Sequence, residues 1–186
     1  MNITAILNII SQANQDEEIL WAGKPHKTVL LLESIFNRNM IPAIIWGLLD
    51  YWVFVGILNK FSQIWGLLII LFIHLMPVWI YLLGILITYL AYQNTCYVIT
   101  DKAIYLSTGI FKQVYEARPH TEIKKVTAKK SFFDNIYNLG DVSVSYKIKG
   151  LYTLTRNGIP LHNIEDYIKV YDLVLDLKTK GKEEIK

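Results

Sequence analysis

Residues 40–58 read MIPAIIWGLLDYWVFVGIL, residues 59–63 read NKFSQ, and residues 64–92 read IWGLLIILFIHLMPVWIYLLGILITYLAY. From Asn39 to Ile99 the only formally charged side chains are Asp50 and Lys60. The first apolar run has 19 residues, close to the roughly 20 that cross a hydrocarbon core as a helix. Lipid cannot satisfy an open backbone, so helices are the expected form. The second run is much longer. At about 1.5 Å per residue it exceeds a core of about 30 Å, so it must tilt, kink or protrude. Pro77 is the natural kink, and neither half around it reads as a span of its own. The short polar break between the runs suits a tight antiparallel hairpin. Trp65 and the closing Tyr89 and Tyr92 fit interfacial belts.

Around that block the chain is ordinarily polar. Over all 186 residues, hydrophobic side chains make up 53% and charged ones 19%, with mean hydropathy +0.30. That excludes a disordered chain and argues against an ordinary soluble enzyme. The net charge of +3 is a mild surplus, concentrated after residue 100. It is weaker than a nucleic-acid reader carries and is what an anionic leaflet favours. Lys24, Lys27 and Arg38 precede the hairpin and Lys102 and Lys112 follow it, against Lys60 in the loop. The expected location is therefore the plasma (inner) membrane, multi-pass, with both termini cytoplasmic. Residues 1–15 lack the basic n-region and long apolar core of a secretory signal. Ile3, Ile6, Leu7 and Ile10 have helical spacing instead. The lone Cys96 permits neither an internal disulfide nor a cysteine-based metal site.

After residue 93 the period changes. Tyr97–Thr100 and Ala103–Ser107 flank a turn at Asp101–Lys102. Phe111–Arg118 alternates, and Glu122–Lys130 is strand-compatible but charged. Residues 131–138 suit a short helical turn, ended by Leu139–Gly140. Val142, Val144, Tyr146 and Ile148 alternate cleanly with polar residues. Leu151–Thr155 and Gly158–Leu161 complete about six strands. Asn163 can cap a last helix with the stripe Ile164, Ile168, Tyr171, and Val174 or Leu175. The expected fold is a membrane α-helical hairpin plus an α+β domain, a curled antiparallel sheet capped by the C-terminal helix. The boundaries are 1–38 for a cytoplasmic amphipathic lead-in, 39–92 for the two-span hairpin, 93–180 for the β-rich domain and 181–186 for a charged tail.

Three clusters carry a family resemblance: Glu17–Pro25 (EEILWAGKP), Tyr97–Lys102 (YVITDK) with Gly109–Phe111, and Ile123–Val126 with Ser131–Asp134 (SFFD) and Leu139–Val144 (LGDVSV). In this order, around a two-span hairpin, they resemble the bacterial membrane-flanked PH-like domain proteins, the YdbS-like group. The resemblance covers nearly the whole chain. It implies a PH-like bent antiparallel β-barrel of seven strands capped by a C-terminal helix, facing the cytoplasm, and it imports no reaction. Ala103 stands where the family usually has Arg, and the strand around Lys124 is unusually basic.

Catalytic signatures are missing. His26, His74, His120 and His162 have no metal-ligand spacing, and there is no phosphate loop, nucleophile elbow or Cys/His dyad. No enzyme, metal or cofactor is expected. The oddest residue is Asp50, an acid inside a span that costs about 2.5 kcal/mol or more. His74 is its potential partner across the hairpin, in a proton-linked or assembly role. Lys124, Lys125, Lys129 and Lys130 offer a face for lipid or an acidic partner, or guard a sheet edge. Strand parity splits them into two pairs unless a bulge intervenes. Trp21, Gly23 and Pro25 are expected at the membrane–domain junction. The expected function is a non-enzymatic binding, scaffold or self-assembly module, its partners membrane lipid, a homo-oligomer or other membrane proteins, without nucleic acid. The alternative is an accessory subunit of a membrane transport or envelope-maintenance complex.

Overall fold

A computed structural model describes residues 17–58, 64–146 and 158–183, without the side chains of 57, 58, 64–67, 182 and 183. The helix expected near residues 3–10, the break at 59–63, the Trp65 side chain, Ile148, the strand expected at 151–155 and the last three residues lie outside what the structure describes. The chain divides into two compact units. One contains residues up to Leu30 and from Leu90 onward, and the other is Leu31–Tyr89.

Among the described residues, the first unit holds seven strands in two antiparallel sheets. Strands β1 (Ile19–Gly23), β2 (Cys96–Thr100), β3 (Ala103–Thr108) and β4 (Val114–Pro119) form one sheet in that order. Strands β5 (Ile123–Lys129), β6 (Gly140–Tyr146) and β7 (Gly158–Ile164) form the other. The alternation around Val142 is the cleanest in the chain, and the structure buries every second residue of β6. In β2 all five residues are buried, because it is paired on both sides and covered on both faces. Strand β1 has no signal in the sequence pattern. ILWAG lacks alternation, and its partner lies far along the chain, with Trp21 opposite Ile99 and Ala22 opposite Val98. The turn between β3 and β4 needs Gly109, whose φ of +130° and contact with the Lys112 carbonyl leave no room for a side chain.

Both sheets and the C-terminal helix share one core, which includes Tyr97, Ile99, Ile104, Val142, Val144, Leu161 and Val174. That helix runs Tyr167–Glu183. It buries Val170, Val174 and Leu177 and packs Tyr167 and Tyr171 against the core. Ile168 is 58% exposed, so the expected stripe is rotated. The cause is the start of the helix. Ile164 still belongs to β7, and the first helical bond, Val170 N–H to the Asp166 carbonyl at 3.2 Å, comes too late for an Asn163 cap. Asn163 instead holds a left-handed backbone, φ 48°, at the end of β7.

Helix α1 (Lys27–Ile35) begins in the first unit and ends in the second, where it gives way to α2 (Met40–Leu58) at Asn37. Its side chain donates to the Ser34 carbonyl at 2.6 Å and accepts from the Asn39 amide at 2.7 Å. Next come α3 (Ile64–His74) and α4 (Met76–Asn94), separated only by Leu75. The long apolar run therefore breaks just ahead of Pro77, which sits in the first turn of α4 where its missing N–H costs least. Met76–Asn94 is 19 residues long and is the one described helix long and apolar enough by itself to cross a membrane. The expectation that neither half could span is thus corrected, because the helix runs on past Tyr92 to Asn94. Lys27–Ile35 and Met40–Gly56 pass the same test only together, as one bent span. The apolar residues of α2, α3 and α4 remain largely exposed, Trp52 at 75% and Ile73 at 65%.

Candidate functional site

Two polar constellations stand out, one in each unit. In the helical unit, the turn at Leu75 frees carbonyl groups that a continuous helix would have used. Val78 N–H bonds the Leu75 carbonyl at 2.9 Å rather than reaching back four residues. Two indoles take up the slack. Trp79 Nε1–H donates to the Phe72 carbonyl at 3.1 Å, and Trp46 Nε1–H donates to the His74 carbonyl at 2.9 Å. Trp46 also stacks on the His74 ring, centroids 5.4 Å apart. One turn along α2, Asp50 Oδ1 shares a hydrogen bond with His74 Nδ1 at 2.5 Å. The structure thus brings Asp50 and His74 together. Asp50 is 4% exposed, and its Oδ2 is buried with no hydrogen-bond partner among the described residues. The His74 side chain is 58% exposed.

In the β-rich unit, the motif residues turn out to bind one another. Glu17 Oε2 accepts from the Thr100 hydroxyl and from the Tyr105 hydroxyl, each at 3.0 Å. Asp101 N–H donates to the Glu18 carbonyl, and Glu18 N–H returns the bond to Asp101 Oδ1, each at 3.0 Å. The acidic opening is therefore a clamp on the Thr100–Ala103 turn. The short helix α5 (Phe132–Tyr137) is started by a capping box. Asp134 N–H donates to Ser131 Oγ at 3.1 Å and Ser131 N–H to Asp134 Oδ2 at 2.9 Å. The other oxygen of this buried carboxylate accepts from Asn163 Nδ2 at 3.0 Å. Asp141 accepts from the Asn163 amide at 2.8 Å and pairs with His162 Nδ1 at 3.2 Å. Across the sheets, His162 N–H donates to the Tyr97 hydroxyl at 3.2 Å. These carboxylates are occupied in holding turns, which explains their place in the motifs.

The expected junction residues sit in this unit as well. Trp21 packs against the β-domain core, and its indole lies over Gly23, where a Cβ would come within 2.4 Å of the ring. Pro25 is buried in the link from β1 to α1. That link, the turn after β7 and Tyr92 line an open cavity of about 510 Å³. The sequence reading misses it because its walls come from both ends of the chain.

All four expected lysines are exposed. The pairing shifts register between Ile123 and Lys125, so that Lys124 and Lys125 both point outward between buried Ile123 and Val126. Strand parity alone would have split them. They lie on or just after β5, the edge strand of its sheet, and Lys130 reaches over the Tyr167 ring at 5.1 Å. The histidines stay apart: His26 contacts Tyr137, His74 meets Asp50, His120 Nε2 bonds the Thr100 carbonyl at 2.8 Å, and His162 meets Asp141. Burial pushes the Cys96 thiol up, against smaller opposing effects of Lys24 and a Ser107 hydrogen bond.

Residues 33–178 match the bacterial PH domain family. The chain belongs to that family. The match takes in β2 through β7 and most of the C-terminal helix, and leaves out β1, so the Glu17–Pro25 clamp is an addition in front of the matched region. No curated protein matches the chain. No solved structure matches it either.

Proposed function

We propose that the chain is an integral protein of the bacterial inner membrane that displays its PH domain on the cytoplasmic side as a non-enzymatic binding or scaffold module. The observation that carries this reading is helix Met76–Asn94, long and apolar enough to cross a membrane, with none of that apolar window buried. Large apolar side chains left bare over three consecutive helices need lipid or protein around them. Asp50 and His74 answer each other in that setting, since a polar group at membrane depth is tolerated when paired. The bulged β5 edge, with Lys124, Lys125, Lys129 and Lys130 outward, is the face assigned to an anionic lipid surface or an acidic partner. A family membership of this kind supplies the binding module and no reaction.

Two measurements test the reading. Alkaline carbonate should leave the chain in the membrane pellet. Protease added to inverted vesicles should remove a C-terminal tag that it cannot reach in spheroplasts. Extraction by carbonate, or cleavage in spheroplasts, would overturn the topology. A second reading, an accessory subunit of a membrane complex, is favoured by Asp50 Oδ2, a buried carboxylate oxygen with no partner among the described residues. Affinity capture in mild detergent separates the two, because a stoichiometric partner lost on Asp50→Leu supports the subunit and self-assembly alone supports the scaffold.

A further inference from the structure

The turn between β3 and β4, residues 109–113, contains the motif Gly109-Ile110-Phe111 and puts a large apolar side chain where the fold has no use for it. Phe111 is 100% exposed and Lys112 beside it is exposed. Val114, which opens β4, is 52% exposed. The backbone beneath them is fixed. Asn94 Nδ2 donates to the Gly109 carbonyl at 2.9 Å, and the Ser107 hydroxyl donates to the Asn94 carbonyl at 3.1 Å. The Thr95 and Thr108 hydroxyls share a hydrogen bond at 3.3 Å, and Gln113 Nε2 donates to Asn94 Oδ1 at 3.5 Å. A held turn that presents a bare Phe is a preorganised contact, since little has to be ordered when it binds.

Asn94 sets the level of this turn. It is the last residue of α4, the helix long and apolar enough to cross a membrane. Residues from Leu90 onward belong to the same compact unit as the turn. The turn is therefore pinned to the residue at which the apolar helix ends. A spanning helix places its last turn at the headgroup level, where Tyr89 and Tyr92 fit an aromatic belt. In that layer a Phe leaves water and a Lys meets lipid phosphate. A protein partner is the poorer fit. The patch is a single five-residue turn, too small for a stable interface between proteins, but enough for an anchor whose domain is already tethered.

We propose that the β3–β4 turn is a membrane anchor: Phe111 enters the lipid beside the end of α4, and Lys112 lies at the phosphates of anionic headgroups. The inference rests on the membrane reading above and names lipid as the partner of this turn. Its test uses the full chain in nanodiscs of phosphatidylcholine, with or without phosphatidylglycerol. Cys96→Ala removes the one native thiol. An environment-sensitive fluorophore is then attached through Phe111→Cys or, as a reference, through Lys102→Cys in the exposed turn at the other end of the same sheet. Lipid spin-labelled near its headgroup should quench the label at 111 and spare the one at 102, and aqueous iodide should do the reverse. Lys112→Gln should reduce insertion about fivefold in discs with phosphatidylglycerol and leave it unchanged in phosphatidylcholine alone. Because the label is itself apolar, amide exchange at residues 109–113 is also followed in the unlabelled chain. It should rise in Phe111→Ser, whose thermal midpoint in detergent should match the wild type because a fully exposed ring contributes no packing. Equal access of iodide to both labels overturns the proposal. So does shielding from iodide without quenching by the labelled lipid, because a second copy or another protein then covers the turn. Exchange unchanged in Phe111→Ser overturns the insertion of Phe111, and insertion unchanged in Lys112→Gln overturns the phosphate contact. A chain that resists carbonate while residue 111 stays in water defeats this inference alone, whereas one stripped by carbonate defeats the membrane reading.

Discussion

Tyr146 illustrates how much a single hydroxyl can reveal. Its ring belongs to the core and sits under the Arg118 guanidinium at 5.8 Å, yet its hydroxyl is buried with no partner among the described residues. Burial pushes the phenol well above its ordinary value, and Arg118 opposes this only in part. A raised folded-state value means that stability is intact below the unfolded value of about 10 and is lost as pH rises from there toward the folded value. Tyr146→Phe removes both the unpaired hydroxyl and that alkaline loss. Thermal unfolding of the variant should be neutral to about 1 kcal/mol more stable near pH 7 and flatter above pH 10; a clear loss of stability at neutral pH would mean that the hydroxyl is bonded after all. Gly140 makes the opposite point. A Cβ there would lie 2.5 Å from the Tyr167 ring, so the glycine of the LGD motif is the space into which the C-terminal helix docks. Gly140→Ala should cost about 1–3 kcal/mol by overpacking, read from a denaturant midpoint, and a midpoint within error of wild type would refute the docking role.

Elements show where the sequence was readable and where it was not. Strands β2, β3 and β6 were legible because their periodicity is local and their turns carry Asp101–Lys102 and Gly140 signals. The α5 turn was legible for the same reason. Strand β1 was not, because its residues owe their conformation to a partner that lies beyond the whole hairpin. Whether a bulge intervenes at Lys124, left open by strand parity, and which face the last helix turns inward were not legible, since each depends on where a neighbour begins. In the apolar run, Pro77 was legible as the site of a break. The repair by Trp46 and Trp79 was not, as nothing in the spacing pairs the Trp46 indole with a carbonyl on a different helix. Trp46→Phe keeps the bulk and stacking and removes only the donor to the His74 carbonyl. In detergent it should lower stability by about 0.6–2 kcal/mol and raise amide exchange around residues 74–78. If exchange there stays at the wild-type rate, the indole does not hold the break.

The whole molecule is a β-rich domain interrupted near its start, with Leu31–Tyr89 inserted between the first strand and the rest. This arrangement gives β1 a consequence out of proportion to its length. It covers the edge of β2, whose own residues are buried on both faces, and it brings Glu17 to the Thr100 turn and Trp21 onto the core. A fragment beginning after the hairpin, residues 93–186, would uncover that edge and leave Tyr105 and Thr100 without their carboxylate. An exposed strand edge of buried apolar residues is a template for association. Such a fragment should therefore be partly aggregated and should unfold without a sharp transition. A chain in which residues 17–30 are joined by a flexible glycine–serine linker to residues 90–186 restores the strand, and should be monomeric in size-exclusion chromatography and melt cooperatively. Because β1 is short, the linked form also separates its pairing from its clamp. Glu17→Gln in that background keeps the backbone ladder and weakens the bonds to Thr100 and Tyr105, with an expected loss of about 1–3 kcal/mol for hydrogen bonds to a charged group. If the shorter fragment melts as sharply and at the same temperature as the linked one, the first strand is dispensable and the domain is complete without the residues ahead of the hairpin.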